Sequence, residues 1–227
     1  MIALYMKTPA LGKEQVRSRK KFLHYFPKGF ADAKYFAWER NYKWKAHLEW
    51  EVQLNRKTFA ALLKAGSYSE IAKRAVRIET QTNLLFSFEK MALRDAVKSS
   101  TASKRFAIGL FDLVYGKGAK EQRFNRFVTV LGGLPRKQTR VLTWPLATVF
   151  GFIARPDEFI FLKPRVTQMA AKSYGFPFEY ESMPNWKTYS GMYAFAERIA
   201  QDMTSLKPRD FIDLQSFIWV LGSAEYS

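Results

Sequence analysis

Apolar residues recur at intervals of three and four along much of the chain, and this spacing most constrains the fold. In a helix of 3.6 residues per turn, such spacing gathers apolar side chains on one face. The longest example runs from Ser67 to about Val97, without Gly or Pro, and Ser67 and Glu70 match a capping box. No hairpin signal or sustained alternation of period two occurs. The sequence therefore predicts an all-α, multi-helix bundle of about eight helices.

Polar and conformationally special residues indicate where these helices begin and end. Asn55 is expected to cap a helix. An apolar helix is expected from about Lys137 to Phe152, kinked or split at Pro145. Pro164 and Gly175 are expected to open and close a shorter helix.

The first thirty residues differ from the rest in pattern. They contain a dense cluster of Arg17, Ser18, Arg19, Lys20 and Lys21 and then aromatic residues, a proline and a glycine. We expect residues 1–30 to form a loosely ordered basic arm that tracks phosphates. The alternative is that its aromatic residues dock on the domain. Residues 31–227 are expected to form a single helical domain, with a possible sub-division near 133–145.

Residue types that the chain lacks exclude several classes of chemistry. There are no cysteines, so disulfides, iron–sulfur clusters and cysteine nucleophiles are excluded. The two histidines are too few for a histidine-rich metal centre, and no metal or cofactor is expected, although carboxylates leave a magnesium site open. No apolar run is long enough for a membrane span or a signal peptide. A soluble protein of the reducing cytoplasm, without a membrane partner, is expected.

Positive charge is distributed unevenly along the chain. Residues 1–140 hold 29 Lys or Arg against 11 Asp or Glu, whereas residues 141–227 hold 8 against 9. This asymmetry indicates a face built for a polyanion, and nucleic acid, with DNA the expected kind, is the partner that it favours. The alternative is a basic face that meets an acidic protein.

Aromatic and basic residues interleave between residues 31 and 54. Trp38, Tyr42 and Lys45 are spaced so that a helix would gather them on one side. An aromatic stripe at helical spacing is more often core than a stacking platform. We therefore expect the tryptophans to be buried and the lysines to face solvent or phosphate.

The segment from Gly132 to Arg140 is the most suggestive candidate site. A glycine-rich turn that leads into a helix presents free backbone N–H groups at a positive helix end, which suits a phosphate. Arg136, Lys137 and Arg140 would stand in the first helical turns, where the helix dipole disfavours cations. The predicted nucleic-acid-binding residues are therefore Arg136, Lys137 and Arg140, together with Arg17, Arg19, Lys20 and Lys21. The alternative is a connector with a solvated basic turn.

Residues 130–222 resemble the helix-hairpin-helix DNA glycosylases. The likeness rests on glycine followed by Leu134-Pro135, a Lys-Gln-Thr helix start, and a final helix within 206–222. In that family a Leu-Pro-Gly-x-Gly hairpin opens a helix and binds a DNA phosphate, and a nearby segment that ends in a Val-Asp pair supplies the catalytic aspartate. Here the glycines precede Leu134-Pro135, and Lys163-Pro164 stands where the aspartate is expected. The resemblance implies a DNA-repair-like scaffold, in which Lys137 as an amine nucleophile or the displaced Asp157 would be catalytic.

A second group of candidates lies within the predicted helix from Ser67. Glu79, Asn83 and Glu89 could form part of a buried carboxylate site with raised pKa values. The alternative is that they pair with neighbouring cations or face solvent.

Three functions are therefore distinguished. The first is a nucleic-acid-binding helical protein, and the second is a glycosylase-like enzyme on nucleic acid. The third is a non-catalytic interaction module, whose basic face binds an acidic protein and whose neutral C-terminal third forms a homodimer surface. Steep salt dependence of nucleic-acid binding would distinguish the first from the third.

Overall fold

The computed structural model describes residues 11–137 and 139–226, and these residues form α-helices joined by turns, with no strand. The all-α class is confirmed, with eleven helices in the described residues instead of about eight. The helices are α1 Lys13–Tyr25, α2 33–53, α3 Arg56–Lys64, α4 Tyr68–Thr80, α5 Ser87–Ala96, α6 Ser100–Tyr115, α7 Lys120–Gly132, α8 Trp144–Ala154, α9 Pro164–Tyr174, α10 Trp186–Asp202 and α11 Phe211–Gly222. Helix α2 contains a π-helical segment, Phe36–Arg40. Within the described ranges, no helix combines the length and apolarity needed to cross a membrane.

The predicted helix from Ser67 to Val97 is two helices, α4 and α5, so its continuity was wrong. The Thr82 hydroxyl donates to the Glu79 carbonyl and accepts from the Leu84 N–H, and such local bonds compete with helix continuation. The Glu89 carboxylate then accepts from the Phe86 N–H and starts α5. The capping box at Ser67 is not formed, because the Ser67 side chain makes no cap bond.

The predicted helix from Lys137 is also corrected, because α8 begins only at Trp144. The Thr143 hydroxyl accepts from the Leu146 N–H, and Pro145 occupies the first turn, where its missing N–H costs nothing. Residues 133–143 are therefore a connector, and the cations of this segment do not stand in a helical turn.

The expectation of a loosely ordered arm is corrected for residues 11–30. These residues form α1 and a short turn, and Phe22, Phe26 and Phe30 are buried. Burial of three phenylalanine rings stabilises the docked segment by several kcal/mol, at roughly 1.5–3 kcal/mol for each ring. The alternative, in which the aromatic residues dock on the domain, is the observed one; residues 1–10 lie outside the described residues.

The prediction for the tryptophans is confirmed in part. Trp50 is fully buried and packs its ring near Phe150, which follows the connector in sequence. Trp38 is 52 % exposed, so its burial was wrongly predicted. The Nζ of Lys34 lies 4.1 Å from the Trp38 ring centroid, so the ring covers a lysine instead of filling the core.

The capping predictions outside these segments are confirmed. The Asn55 side chain accepts from the Thr58 N–H at the start of α3, and Gly175 ends α9 in the left-handed conformation. Helices α9 and α11 cross at Gly222, where a Cβ would lie 2.0 Å from the Val166 carbonyl oxygen. Only glycine permits this approach.

The π-helical segment of α2 turns charged side chains toward α11. The Arg40 guanidinium donates to Asp210 at 2.6 Å and to Asp213 at 2.7 Å, and Asp213 also accepts from the Tyr35 hydroxyl. The Lys43 ammonium donates to Glu39 and to the hydroxyl of Ser216. We call this group the buried ion network: Tyr35, Glu39, Arg40, Lys43, Asp210, Asp213 and Ser216.

Candidate nucleic-acid interface

A cleft of about 580 Å³ opens between the N-terminal ends of α5, α8 and α9. We call it the aromatic cleft, because aromatic and cationic side chains alternate along its walls. The residues that define it are Phe86, Phe88, Arg140, Trp144, Lys163 and Arg165.

Two phenylalanines form the exposed wall of this cleft. The rings of Phe86 and Phe88 are stacked with centroids 5.5 Å apart and planes inclined by 25°. Their side chains are 54 % and 50 % exposed, respectively. A solvated pair of stacked phenylalanines leaves apolar surface exposed to water, and a cluster of this kind marks an interaction site more often than an isolated exposed ring does.

Lys163 supports this wall from beneath. Its Nζ lies 3.5 Å from the Phe86 ring centroid and donates to the Leu84 carbonyl at 2.8 Å. Burial lowers the pKa of Lys163, and the carboxylates of Glu89 and Glu79 act in the opposite direction. The contacts fix the Phe86 ring, because the same short segment is also held by Glu89.

The structure shows where Glu79, Asn83 and Glu89 lie, which the sequence left open. Glu79 and Glu89 are buried, whereas Asn83 is exposed in the turn between α4 and α5. Burial raises the pKa of Glu79, which has Lys90 at 3.7 Å, and burial likewise raises the pKa of Glu89. Glu79 thus pairs with a neighbouring cation, as the pairing alternative predicted, whereas Glu89 accepts from the Phe86 N–H. No group of three or more His, Asp or Glu suited to a metal ion occurs among the described residues.

A second depression, the basic groove, runs between α4 and α5. It has a volume of about 440 Å³ and contains Lys73, Arg77, Arg94 and Lys98, with no carboxylate among its described lining residues. Arg77 lies 3.8 Å from Glu49, and Lys98 pairs with Asp95 at the surface. Lys73 and Arg94 form no ion pair with any described residue.

Helix α5 joins the two depressions. Its N-terminal end carries Phe86 and Phe88 at the aromatic cleft, and its C-terminal end carries Arg94 and Lys98 at the basic groove. Ten residues at 1.5 Å each separate the two ends by roughly 15 Å. Helix α5 therefore connects the exposed aromatic pair at its start to the cations of the basic groove at its other end.

The predicted residues of the 132–140 segment lie in or near this region. Arg140 lines the aromatic cleft, with its Nη1 3.7 Å from the Met183 sulfur. Lys137 is exposed, and its charge adds to that of Lys98 in lowering the pKa of Asp95, in the last turn of α5. Arg136 is exposed in the same connector. Gln138 lies outside the described residues.

The predicted residues of α1 lie elsewhere. Arg17 and Lys21 line a small pocket with Ser173, at the C-terminal end of α9, whereas the aromatic cleft is at its N-terminal end. Burial and the neighbouring Arg17 both lower the pKa of Lys21. Lys20 is exposed, and the Nε of Arg19 is buried without a hydrogen-bond partner among the described residues.

The two predicted catalytic residues line different parts of the molecule. Asp157 follows α8 in a depression with His47 and Tyr115, and its carboxylate pairs with Arg155 at 3.2 Å. Burial raises the pKa of Asp157, but the hydrogen bond and charge of Arg155 outweigh it, so the net shift is downward. Lys137 is in the connector and lies near Asp95. The structure therefore does not bring Lys137 and Asp157 together in one site.

The sequence reasoning missed Phe86, Phe88, Lys163 and the cations of the basic groove. A signal for the groove was present, because Lys73/Arg77 and Arg94/Lys98 are like-charged pairs at spacing i, i+4. Like charges at this spacing cost helix stability, and the first pair lies within α4, whereas α5 ends at Ala96, before Lys98. No comparable local signal brings Lys163 to Phe86.

Comparison with known proteins adds nothing to this geometry. None of the family models, curated proteins or solved structures compared with the chain matches it. The resemblance to helix-hairpin-helix glycosylases therefore rests on the sequence alone. The function has to be argued from the site.

Proposed function

We propose that the chain binds nucleic acid, with DNA the expected kind, through a face made by α4, α5, the 133–143 connector and the start of α9. The observation that carries the proposal is the arrangement along α5, with the basic groove at one end and the aromatic cleft at the other. Phosphates would lie on the cations, and bases or sugars would lie against the rings.

Some cations of the basic groove are not neutralised by carboxylates of the described residues. A cation paired within the fold gains little from a phosphate, because it has to give up its partner. Lys73 and Arg94 have no such ion pair among the described residues, and the pair of Lys98 with Asp95 is exposed and therefore weak. These cations are available to displace counterions from a polyanion.

The aromatic pair favours nucleic acid over an acidic protein as the partner. A cationic surface alone would serve either partner. The stacked Phe86 and Phe88 rings between two groups of cations match the repeating pattern of nucleic acid, in which planar rings alternate with phosphates.

The test is a fluorescence-anisotropy titration of labelled DNA and RNA at several salt concentrations. Wild-type protein should bind, with an affinity that falls as salt rises. Lys73→Ala/Arg94→Ala should weaken binding and reduce the slope of log affinity against log salt by about 2, one for each lost phosphate contact. Lys187→Ala is the matched control, because Lys187 is exposed and its charge is already paired with Glu179.

Two outcomes would contradict the proposal. Wild-type protein that binds neither DNA nor RNA at low salt would overturn it and direct attention to acidic proteins. Equal losses in the groove variant and in Lys187→Ala would show that only overall charge matters, and that the groove is not the binding face.

A further inference from the structure

The aromatic cleft differs from the rest of the proposed face because its exposed wall is apolar and planar. Phe86 and Phe88 stack on one another over a space of about 580 Å³, and Trp144, Tyr180 and Trp219 line the same space. A phosphate, which is a hydrated anion, gains nothing from contact with an apolar wall. The natural occupant is a flat, weakly polar group attached to an anionic backbone.

We propose that the aromatic cleft holds an unstacked base of a single-stranded nucleic acid against the ring surface of Phe86 and Phe88 that Lys163 and their mutual stacking leave exposed, while Arg140 and Arg165 contact the flanking phosphates. This inference rests on the proposed function and narrows it to single strands. Base–aromatic stacking needs a free π-face, and paired bases inside a duplex have both faces covered by their neighbours. Arg140 and Arg165 line the same cleft as the rings, so base and phosphate contacts come from one segment of the strand.

The Phe86 end of the wall is held in place by contacts within the protein. The Phe86 backbone N–H donates to Glu89 at 2.9 Å, and the Lys163 ammonium lies against the Phe86 ring while it donates to Leu84. Lys163 is only 8 % exposed and cannot move away without leaving a buried carbonyl unpaired. A fixed ring loses little conformational entropy when a base stacks on it, and this favours binding.

The cations at the rim decide between a nucleic-acid strand and an apolar protein segment as the occupant. Arg140, Lys163 and Arg165 line the cleft, and the one carboxylate among its described lining residues is that of Glu89, which is buried and already bonded to Phe86. A neutral apolar helix or a second copy of this basic chain would bring no charge to offset them. A single strand supplies one phosphate for each base.

The experiment uses the full chain, a single-stranded oligonucleotide that contains 2-aminopurine, and a duplex of the same length with GC-paired ends. Stacking on an aromatic side chain quenches 2-aminopurine fluorescence, so the probe reports the contact as well as the affinity. The variants are Phe86→Ala/Phe88→Ala and Phe86→Leu/Phe88→Leu, the second of which keeps apolar volume but removes the ring faces. Ile108→Ala is the control, because Ile108 is a 48 % exposed apolar residue of a different depression, between α6 and α7.

We expect wild-type protein to quench the probe and to prefer the single strand. Phe86→Ala/Phe88→Ala should weaken single-strand binding about ten-fold or more for each base that loses its stacking partner, and should abolish quenching. Phe86→Leu/Phe88→Leu should lose the quenching as well and should bind the single strand more weakly than wild type. Duplex binding should change less than about two-fold in both variants, since it depends on phosphate contacts. Ile108→Ala should behave as wild type.

The outcomes separate this inference from the proposed function. Salt-dependent binding that is equal for both substrates and insensitive to the phenylalanine substitutions would overturn the inference alone. Full affinity and quenching in the leucine variant would also overturn it, because apolar volume would then suffice. Absence of any binding by wild-type protein would overturn the proposed function and the inference together. Thermal melting of each variant, followed by circular dichroism, confirms that it is folded.

Discussion

Two buried lysines, Lys43 and Lys163, are held in different surroundings. Burial lowers the pKa of both. In the buried ion network, the Lys43 ammonium donates to Glu39 and Ser216, and its side chain is 2 % exposed. In the aromatic cleft, the Lys163 ammonium donates to Leu84 and lies under the exposed Phe86 ring.

The difference teaches how to tell a structural charge cluster from a candidate binding site. Each charged group of the network finds its partners inside the protein, between α2 and α11, so no ligand is needed to complete it. The cleft supports rings and cations that face open space. Both contain perturbed pKa values, so a shifted pKa alone does not distinguish them. The two are distinguished by whether the side chains find their partners inside the protein or face open space.

The largest expected effect comes from breaking the network at Asp213. This carboxylate is fully buried and accepts from Tyr35, Arg40 and Arg209. In Asp213→Asn, the amide NH₂ would face donors, and the buried Arg40 guanidinium would lose one of its two carboxylate partners and keep only Asp210. We expect the free energy of unfolding to fall by about 3–5 kcal/mol, measured by urea denaturation.

Nucleic-acid affinity should stay at the wild-type level in Asp213→Asn, well below its melting temperature, because the network is structural. Asp157→Asn is the control, since its carboxylate is 67 % exposed and pairs only with the nearby Arg155. A loss of affinity without a loss of stability in Asp213→Asn would reverse the roles that we assign to the two regions.

A second prediction concerns pH and the carboxylates behind the cleft. Burial raises the pKa of Glu79 above its ordinary value of 4.5. The stability that its proton contributes is present below about pH 4.5 and is lost as pH rises through the folded-state pKa. Glu79→Gln should therefore lose less stability than wild type between pH 4.5 and 7, measured by urea denaturation at several pH values.

Glu70→Gln supplies a control of opposite sign. The Glu70 carboxylate accepts from Arg74, which lowers the pKa of Glu70, so its contribution to stability is present above its ordinary value of 4.5 and is lost as pH falls. That variant should gain less stability than wild type as pH rises. The same pH dependence in both variants would show that burial of Glu79 does not set its titration.

The sequence predicted some helix ends that local chemistry determines, but it missed others, including the absence of the capping box at Ser67, and it missed what packing determines. The caps at Asn55 and Gly175 follow from backbone rules, and both were predicted correctly. The break after Thr80 was missed because it depends on the hydroxyl of Thr82, which bonds the Glu79 carbonyl in a segment without Gly or Pro. Trp38 was misplaced because helical spacing tells which residues share a face and not which face is buried.

The candidate site shows the same division. Arg140 was found from charge and its position in a glycine-rich segment, and it does line the cleft. The contact of Lys163 with Phe86 joins residues from opposite sides of the connector, and only tertiary packing creates it. The helix start that was expected to present Arg136 and Lys137 to a phosphate does not form, because Pro145 and Thr143 place the first turn of α8 later.

The smallest expected effect is that of Asp157→Ala. Asp157 lies outside the aromatic cleft and pairs with Arg155 at the surface, so we expect the free energy of unfolding to change by less than about 0.5 kcal/mol. Affinity for nucleic acid should also stay unchanged in the anisotropy titration.

The glycosylase-like hypothesis gives a different outcome for the same variant, as it does for Lys137→Ala. If wild-type protein releases a base from damaged duplex and Asp157→Ala binds that duplex without releasing it, Asp157 is catalytic. The functional chemistry would then extend beyond the cleft, and the contrast between one structural and one functional region would have to include a third.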